Sequence, residues 1–333
     1  MKKSLLALAV LGAFAGAAQA QTSVTIYGQM DVGITKSTGG TTSMNAGDNN
    51  KLGFKGTEDL GGGLGALFQA EIRFDPNTGK TEGNGARPLF QGSTVVGLTG
   101  GFGTLRLGRA LPALQVTAPA FDPWGATRNR GAFHPDTMQA GYNTNPLEPT
   151  GTMNRFSNGI FYTTPSMSGF QGNLSIQTKQ AQDAGTPTTN AFSAAGTYNN
   201  GPIGLGVAYE RNAISDKIWL IGGSFKIGSA NLMASYANAS DSSTTGLAAA
   251  VNAARAADAK AWNVGATVDM GTGNFLVGYG KKDPDAGAET KKFAVGYEHK
   301  LSKRTFLYAD AIHRKVTGAS AVKTFDVGIH HNF

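Results

Sequence analysis

The chain ends in Phe325-Asp326-Val327-Gly328-Ile329-His330-His331-Asn332-Phe333. In an extended strand, successive side chains point to opposite faces. Phe325, Val327, Ile329 and Phe333 then share one face, with His331 among them, while Asp326, His330 and Asn332 share the other. One face is apolar and closes on an aromatic residue; the other carries charge. An edge strand of a soluble sandwich gains little from an exposed terminal Phe. A strand whose apolar side meets lipid needs that face.

Working outward, the same two-residue period recurs in segments of roughly ten residues. Val24, Ile26, Met30, Val32 and Ile34 alternate with Tyr27, Gln29 and Asp31. Leu64, Ala66, Phe68, Ala70, Ile72 and Phe74 alternate with Gln69, Glu71 and Arg73. Phe170, Leu174 and Ile176 alternate with Gln171, Asn173, Ser175 and Gln177, and Trp262, Val264, Ala266 and Val268 with Asn263, Thr267 and Asp269. A soluble barrel turns its apolar face inward; a membrane barrel turns it to lipid and lines a wet lumen with the other. The mean hydropathy of −0.19 fits both, so the chain ends decide. An aromatic last residue behind an alternating apolar face resembles the terminal strand of outer-membrane barrels. There it is also the tag read by the assembly machinery, a role this resemblance gives to Phe325, Val327, Ile329 and Phe333.

The other end reads as an export signal over residues 1–20. Lys2 and Lys3 precede an apolar run from Leu5 to Ala17, and Ala18-Gln19-Ala20 supplies a small-x-small cleavage site. The run is shorter than the roughly 20 residues a spanning helix needs. The expected mature chain starts at Gln21 and forms a single domain over 21–333. Cysteine is absent, which removes thiol chemistry and disulfide staples.

Connections alternate in length. Short ones carry Gly, Asn, Pro and Ser at 58–63, 99–103, 164–169, 199–202, 227–231, 271–274 and 301–304. Long ones cover 36–50, 75–86, 110–153, 179–190, 211–217, 239–260, 281–291 and 315–322. Seven short and eight long connections predict about sixteen strands, an all-β, antiparallel transmembrane barrel with short periplasmic turns and long extracellular loops. The Ala-rich stretch 246–261 is read as part of an external loop.

Taken together the segments resemble the general porins of Gram-negative bacteria, of the Neisseria and Burkholderia type. Ser23-Val24-Thr25-Ile26-Tyr27-Gly28, with Asp31, resembles the family's first strand. Leu52-Gly53-Phe54-Lys55-Gly56-Thr57-Glu58-Asp59-Leu60-Gly61, the most specific segment, resembles its second strand and first turn. Val96-Gly97-Leu98, Gly101-Phe102-Gly103-Thr104, Leu107-Gly108-Arg109, Ile160-Phe161-Tyr162, Leu301-Ser302-Lys303-Arg304-Thr305 and Val327-Gly328-Ile329-His330-His331 follow in the family's order. The resemblance implies a homotrimer of sixteen-stranded barrels in the outer membrane, each with its own pore, and a third external loop folded into the barrel to narrow it. It also implies contact with outer-membrane lipid and lipopolysaccharide, insertion by the barrel-assembly machinery, and passage of small hydrophilic solutes and ions.

The connection 110–153 sits where that constriction loop belongs, and structureless loops beyond about 15 residues usually have a role. It carries Asp122, Arg128, Arg130 and Asp136. Acids on the loop facing basic residues on the wall would set up a transverse field that filters solutes by size and charge. Strand parity nominates the wall. Leu105 and Leu107 face lipid, which turns Arg106 inward, since a basic side chain in lipid costs about 2–4 kcal/mol near the midplane. Arg109, Arg73, Lys51 and Arg155 complete the candidates. Two departures from the family stand out. Lys51 replaces the usual Arg and lacks its planar fork, and no Arg lies near Gly92. Net charge is +7, or +5 without Lys2 and Lys3, which predicts a mild anion preference.

No Walker A loop, H-E-x-x-H pair, EF-hand loop or dinucleotide fingerprint occurs, so the sequence proposes no enzyme activity, cofactor or metal. His330 and His331 point to opposite faces. The absence of Lys/Arg clusters, with the export signal, argues against nucleic acid. The readings kept beside the diffusion porin are a substrate-selective channel of the same fold and a barrel acting mainly as adhesin or structural anchor.

Overall fold

The computed structural model describes residues 23–125, 130–134, 136–148, 154–179, 188–242 and 258–333. The expected signal, residues 1–20, and Arg128 lie outside the described residues. Sixteen strands make the wall. The first half runs β1 (Ser23–Ser37), β2 (Lys51–Gly61), β3 (Leu64–Asp75), β4 (Thr94–Gly100), β5 (Gly103–Ala110), β6 (Phe156–Thr163), β7 (Phe170–Gln177) and β8 (Ala191–Asn200). The second runs β9 (Ile203–Arg211), β10 (Lys217–Ile227), β11 (Ala230–Ser240), β12 (Ala259–Asp269), β13 (Gly273–Pro284), β14 (Thr290–Lys300), β15 (Thr305–Val316) and β16 (Val322–Asn332). Each pairs antiparallel with its chain neighbours. β16 pairs back onto β1, from Gln29↔Asn332 to Ser37↔Thr324, so the sheet closes and has no free edge. Two short ribbons, Ser43–Ala46 and Lys80–Thr81, extend β1 and β3 into the loops.

Every short connection lies at one end and every long one at the other. Gly61, Gly62 and Gly63 all have positive φ, which lets the first short turn reverse the chain without strain. Three boundaries differ most from the sequence reading; at one of them β13 runs on to Pro284, into the expected 281–291 connection. The connection after β3 runs on to Thr94 and takes in Phe90-Gln91-Gly92-Ser93; Pro88 offers no N–H to a ladder. At the third, Ala259–Ala261 open β12 and do not belong to the preceding loop.

The polarity of the wall is that of a membrane barrel. Outward positions of β16 are exposed and apolar (Phe325, Val327, Ile329), while inward Asp326 and His330 are buried. The same split holds on β1, β3, β7 and β12, where Ile26, Phe68, Leu174 and Val264 are exposed outside and Asp31, Glu71, Ser175 and Asn263 are buried inside. The apolar core lies within the barrel, where the long connection after β5 packs against the inward face.

Candidate pore constriction

That connection begins with a short helix, α1 (Ala113–Thr117), and a 3₁₀ turn (Ala118–Phe121). Pro112 precedes α1, and the N–H groups of Ala113 and Leu114 donate to Ser175 Oγ (3.1 Å) and Ser193 Oγ (3.0 Å) on β7 and β8. Two donors that a helix start leaves orphaned are thus satisfied by the wall. Beyond α1 the loop is anchored by rings set over inward glycines. A side-chain carbon at Gly222 would lie 2.2 Å from the Phe121 ring, and one at Gly278 would lie 2.5 Å from Phe133. Likewise Gly296 is faced by Trp124 at 3.0 Å. Trp124 Nε1 donates to Asp310 Oδ1 at 3.0 Å, and Asn263 Nδ2 donates to the Phe121 carbonyl at 3.0 Å. Lys292 caps the loop from β14: its ammonium donates to the Arg130 carbonyl (2.9 Å) and to that of Ala132, and lies 5.4 Å from the Phe133 ring centroid.

The sequence-nominated acids divide. Asp122, 2% exposed, accepts from the N–H groups of Trp124 (2.9 Å), Phe133 (2.7 Å) and His134 (3.3 Å); it ties the loop to itself, and Lys292 of β14 is the wall cation it interacts with. Asp136 reaches the wall on β13 and β15, at 3.3 Å from Lys282 Nζ and 2.7 Å from Arg314 Nε. Those two cations hold the Asp136 carboxyl below its ordinary value, against the opposing effect of its burial. His134 is pushed down to about 4 by burial, and its Nε2 lies 3.0 Å from Gln115 Oε1. Arg130 meets β1 and β16, with Nε 3.2 Å from Thr35 Oγ1 and 4.0 Å from Asp326 Oδ2.

Arg73, Arg109 and Arg155 gather at the loop-side end of β3, β5 and β6 and take their acids locally. Arg73 pairs with Glu82 (3.3 Å), Arg155 with Glu71 (3.9 Å), and Arg109 with Glu148 (2.5 Å) and Ser157 Oγ (2.5 Å). Arg109 reaches Glu148 across a register shift between Gly108 and Ala110. Glu71 also accepts from Tyr27 OH at 3.2 Å. The structure explains the glycine at position 92 itself. A side-chain carbon there would lie 2.6 Å from both the Glu71 carbonyl and its carboxylate. Arg87 instead approaches Glu82 at 3.6 Å.

Lys51 lies on the inward face, register-paired with Gln29 and Arg73. Arg106 also faces inward, its guanidinium 5.9 Å from the buried Phe161 ring. Lys55, which the sequence reading did not single out, shares this wall with Arg106, Gln69 and Thr25 around a cavity of about 440 Å³. The parity that turned Arg106 inward would have found Lys55 too, through its register partner Thr25. Trp219 is exposed outside and Trp124 is buried behind the loop. Asp31, Asp48 and His330 place ligand-type atoms within 4.8 Å of one another at the closure seam. Their carboxylates already accept from Tyr308 OH (2.7 Å) and Gln29 Nε2 (2.9 Å), and His330 Nδ1 lies 2.9 Å from Asp31 Oδ2.

A closed antiparallel wall, apolar outside, polar inside and carrying a docked loop, is the geometry of a diffusion channel. Residues 7–318 match the model of the Gram-negative porin family. The chain belongs to that family. Outer membrane porin protein 32 of Delftia acidovorans is 31% identical over 99% of this chain and 94% of its own length. The major outer membrane protein P.IB of Neisseria meningitidis serogroup B is 32% identical over 65% of this chain and 62% of its own length. Among solved structures, an anion-selective porin from Comamonas acidovorans superposes with a TM-score of 0.78 at 24% identity, covering 94% of this chain and all of that one. The porin is a passive channel of the outer membrane; its family and fold are those of a channel, not an enzyme.

Proposed function

We propose that this porin passes small hydrophilic solutes with a preference for anions, and that residues 110–153 form its constriction. The observation that carries the preference is an asymmetry of exposure on the inward face. The inward acids away from the short turns are buried or paired: Asp31, Glu71, Glu210 and Asp326 are each at most 5% exposed, and Asp136 is held by two cations. Three inward cations protrude, Lys55 being exposed and the Arg130 and Arg314 side chains 41% and 42% exposed, whereas Arg73, Arg155 and Lys292 are buried. A passing ion feels accessible charge more than charge buried behind packed atoms. The anion selectivity named for the Comamonas porin supports the same reading.

Lys51, Arg73, Arg106, Arg109, Arg130, Arg155 and Asp136 are the proposed lining, with Arg128 kept from the sequence. The proposed assembly is a homotrimer inserted by the barrel-assembly machinery through Phe325, Val327, Ile329 and Phe333, in contact with lipopolysaccharide, after loss of residues 1–20. Reversal potential in a salt gradient across a planar bilayer tests it. Conductance in steps of three with reversal toward the anion potential is the expected result. Reversal toward the cation potential would overturn the anion preference, and no conductance from folded protein would favour an adhesin or anchor.

A further inference from the structure

Where residues 142–145 of the long loop meet the wall, two side chains are fully buried and unmatched. Glu210, on the inward face of β9, is 0% exposed, and neither carboxylate oxygen accepts a hydrogen bond. Asn145, on the loop, is equally buried, and neither its amide oxygen nor its amide nitrogen has a partner. Among the described residues no Lys, Arg or His forms an ion pair with Glu210. Buried polar groups are hydrogen-bonded as a rule, and buried charges are paired or hold an ion.

The groups that face Glu210 are hydroxyls: Thr144 and Tyr142 from the loop, and Ser193 from β8, its register partner. None of them closes a hydrogen bond to the carboxylate. Each is engaged on another side. Ser193 Oγ accepts from the Leu114 N–H at 3.0 Å, and Thr144 Oγ1 accepts from Gln115 Nε2 at 3.0 Å. Tyr142 donates its proton to the Asp216 carbonyl at 3.4 Å, so it turns only lone pairs toward Glu210. A lone pair set against a carboxylate repels it unless positive charge lies between them. The neighbouring acid, Asp216, has donors of its own: its carboxylate accepts from Asn212 Nδ2 at 3.4 Å and from the Ser242 N–H at 3.1 Å.

From this arrangement we infer that Glu210 holds a dehydrated alkali cation, Na⁺ or K⁺, which ties the loop to the wall. Both Glu210 oxygens, the three hydroxyl oxygens and Asn145 Oδ1, next in the chain to Thr144, make an all-oxygen set, the donor type that hard cations take. The charge of the ion follows from the count of carboxylates. Glu210 alone among these groups carries a charge, so one positive charge cancels it, while a divalent ion would leave a net charge buried. The inference rests on the reading of residues 110–153 as the constriction and makes an ion part of that loop's seat.

The test holds folded, detergent-solubilised protein in NaCl, KCl or tetramethylammonium chloride at equal ionic strength; the last cation is too bulky for a closed site. Tryptic cleavage after Arg130 is expected to be about tenfold slower in NaCl or KCl, the protection given by an ion at about ten times its Kd. The salt that protects better names the ion. Glu210→Gln keeps the shape and removes the charge, and its cleavage is expected to be fast and equal in all three salts. Asp269→Asn, which removes an exposed acid at the short turns, keeps the wild-type difference. In wild-type crystals soaked in thallium(I) acetate, an anomalous peak is expected beside the Glu210 carboxylate. Should Glu210→Gln fail to fold, the wild-type salt series and the thallium peak decide. Equal wild-type cleavage in the three salts, a salt difference that persists in Glu210→Gln, or a thallium peak without salt-dependent protection would each overturn the inference. Protection that follows pH and not the identity of the cation would also overturn it, by giving Glu210 a proton in place of an ion. Planar-bilayer conductance keeps the two readings apart: ion-dependent cleavage with unchanged conductance would retain the ion and discard the loop as the constriction.

Discussion

The inner wall has two halves built on opposite rules. From β8 to β15 it is cut back to small residues, Gly222, Gly278, Gly280 and Gly296 among them, so that aromatic side chains of the loop can sit against backbone. From β1 to β6 it is full-sized and charged, with Lys51, Lys55, Arg73, Arg106, Arg109 and Arg155. The first half holds an object; the second presents a surface. A constriction needs both, because a loop narrows a pore only if one side grips it and the other stays open to solute.

The gripping half is where substitution has the largest expected effect. Phe133 is fully buried over Gly278 and Gly280, and truncating such a ring costs about 3–5 kcal/mol. Phe133→Ala is expected to loosen the loop, raising single-channel conductance and speeding tryptic cleavage after Arg130. Gly222→Leu attacks the same seat from the wall by displacing Phe121. If both variants keep wild-type conductance and protease resistance, the loop does not depend on this half.

Acid probes the same grip more gently. His134 is held down to about 4 by burial, whereas in an unfolded chain it titrates near 6.5. Between those values the undocked state binds the proton and the docked one does not, so stability rises with pH through that window. The docking contribution is complete above about pH 6.5 and falls as pH drops toward 4, by up to about 3 kcal/mol. Gating noise in planar bilayers is expected to rise over that range and to flatten in His134→Gln. Asp136 acts lower: its pKa is held below the ordinary carboxylate value by Arg314 and Lys282, so its stabilisation is present above the unfolded value and is lost as pH falls through the folded one. Noise that starts only below pH 4 would assign the effect to Asp136.

The gripping and charged halves were unequally legible in the sequence. Period-two patterning placed Ile26, Leu174 and Val327 outside and Asp31, Glu71 and Arg106 inside, because strand geometry leaves a side chain two choices. The strand count followed from turn chemistry. The loop's seat was not legible, since a glycine that receives Phe121 looks the same in sequence as one that makes a turn. Pairing inside the charged half was hidden for a related reason. Parity gives the face of Arg109 but not that a register shift beside Gly108 carries it to Glu148, 39 residues on. Asp122 looked like a field-setting acid because sequence shows its charge and not the three N–H groups it accepts from.

The charged half yields smaller effects, and they separate accessible charge from buried charge. Lys55→Glu with Arg106→Glu reverses two inward cations without acid partners among the described residues. A loss of about three- to tenfold in anion-over-cation permeability is expected, equivalent to about 1 kcal/mol of barrier. Arg73→Gln removes a charge that is 3% exposed and already paired with Glu82. It should cost stability by about 1–2 kcal/mol, since the part-exposed Glu82 keeps Arg87 as a partner, yet leave permeability ratios nearly unchanged. Lys51→Arg restores a guanidinium fork at unchanged charge and should alter selectivity by less than about twofold. If Arg73→Gln moves the reversal potential as far as the double reversal does, buried charge counts as much as exposed charge, and the preference for anions must come from the summed field of the wall and not from the side chains that reach the lumen.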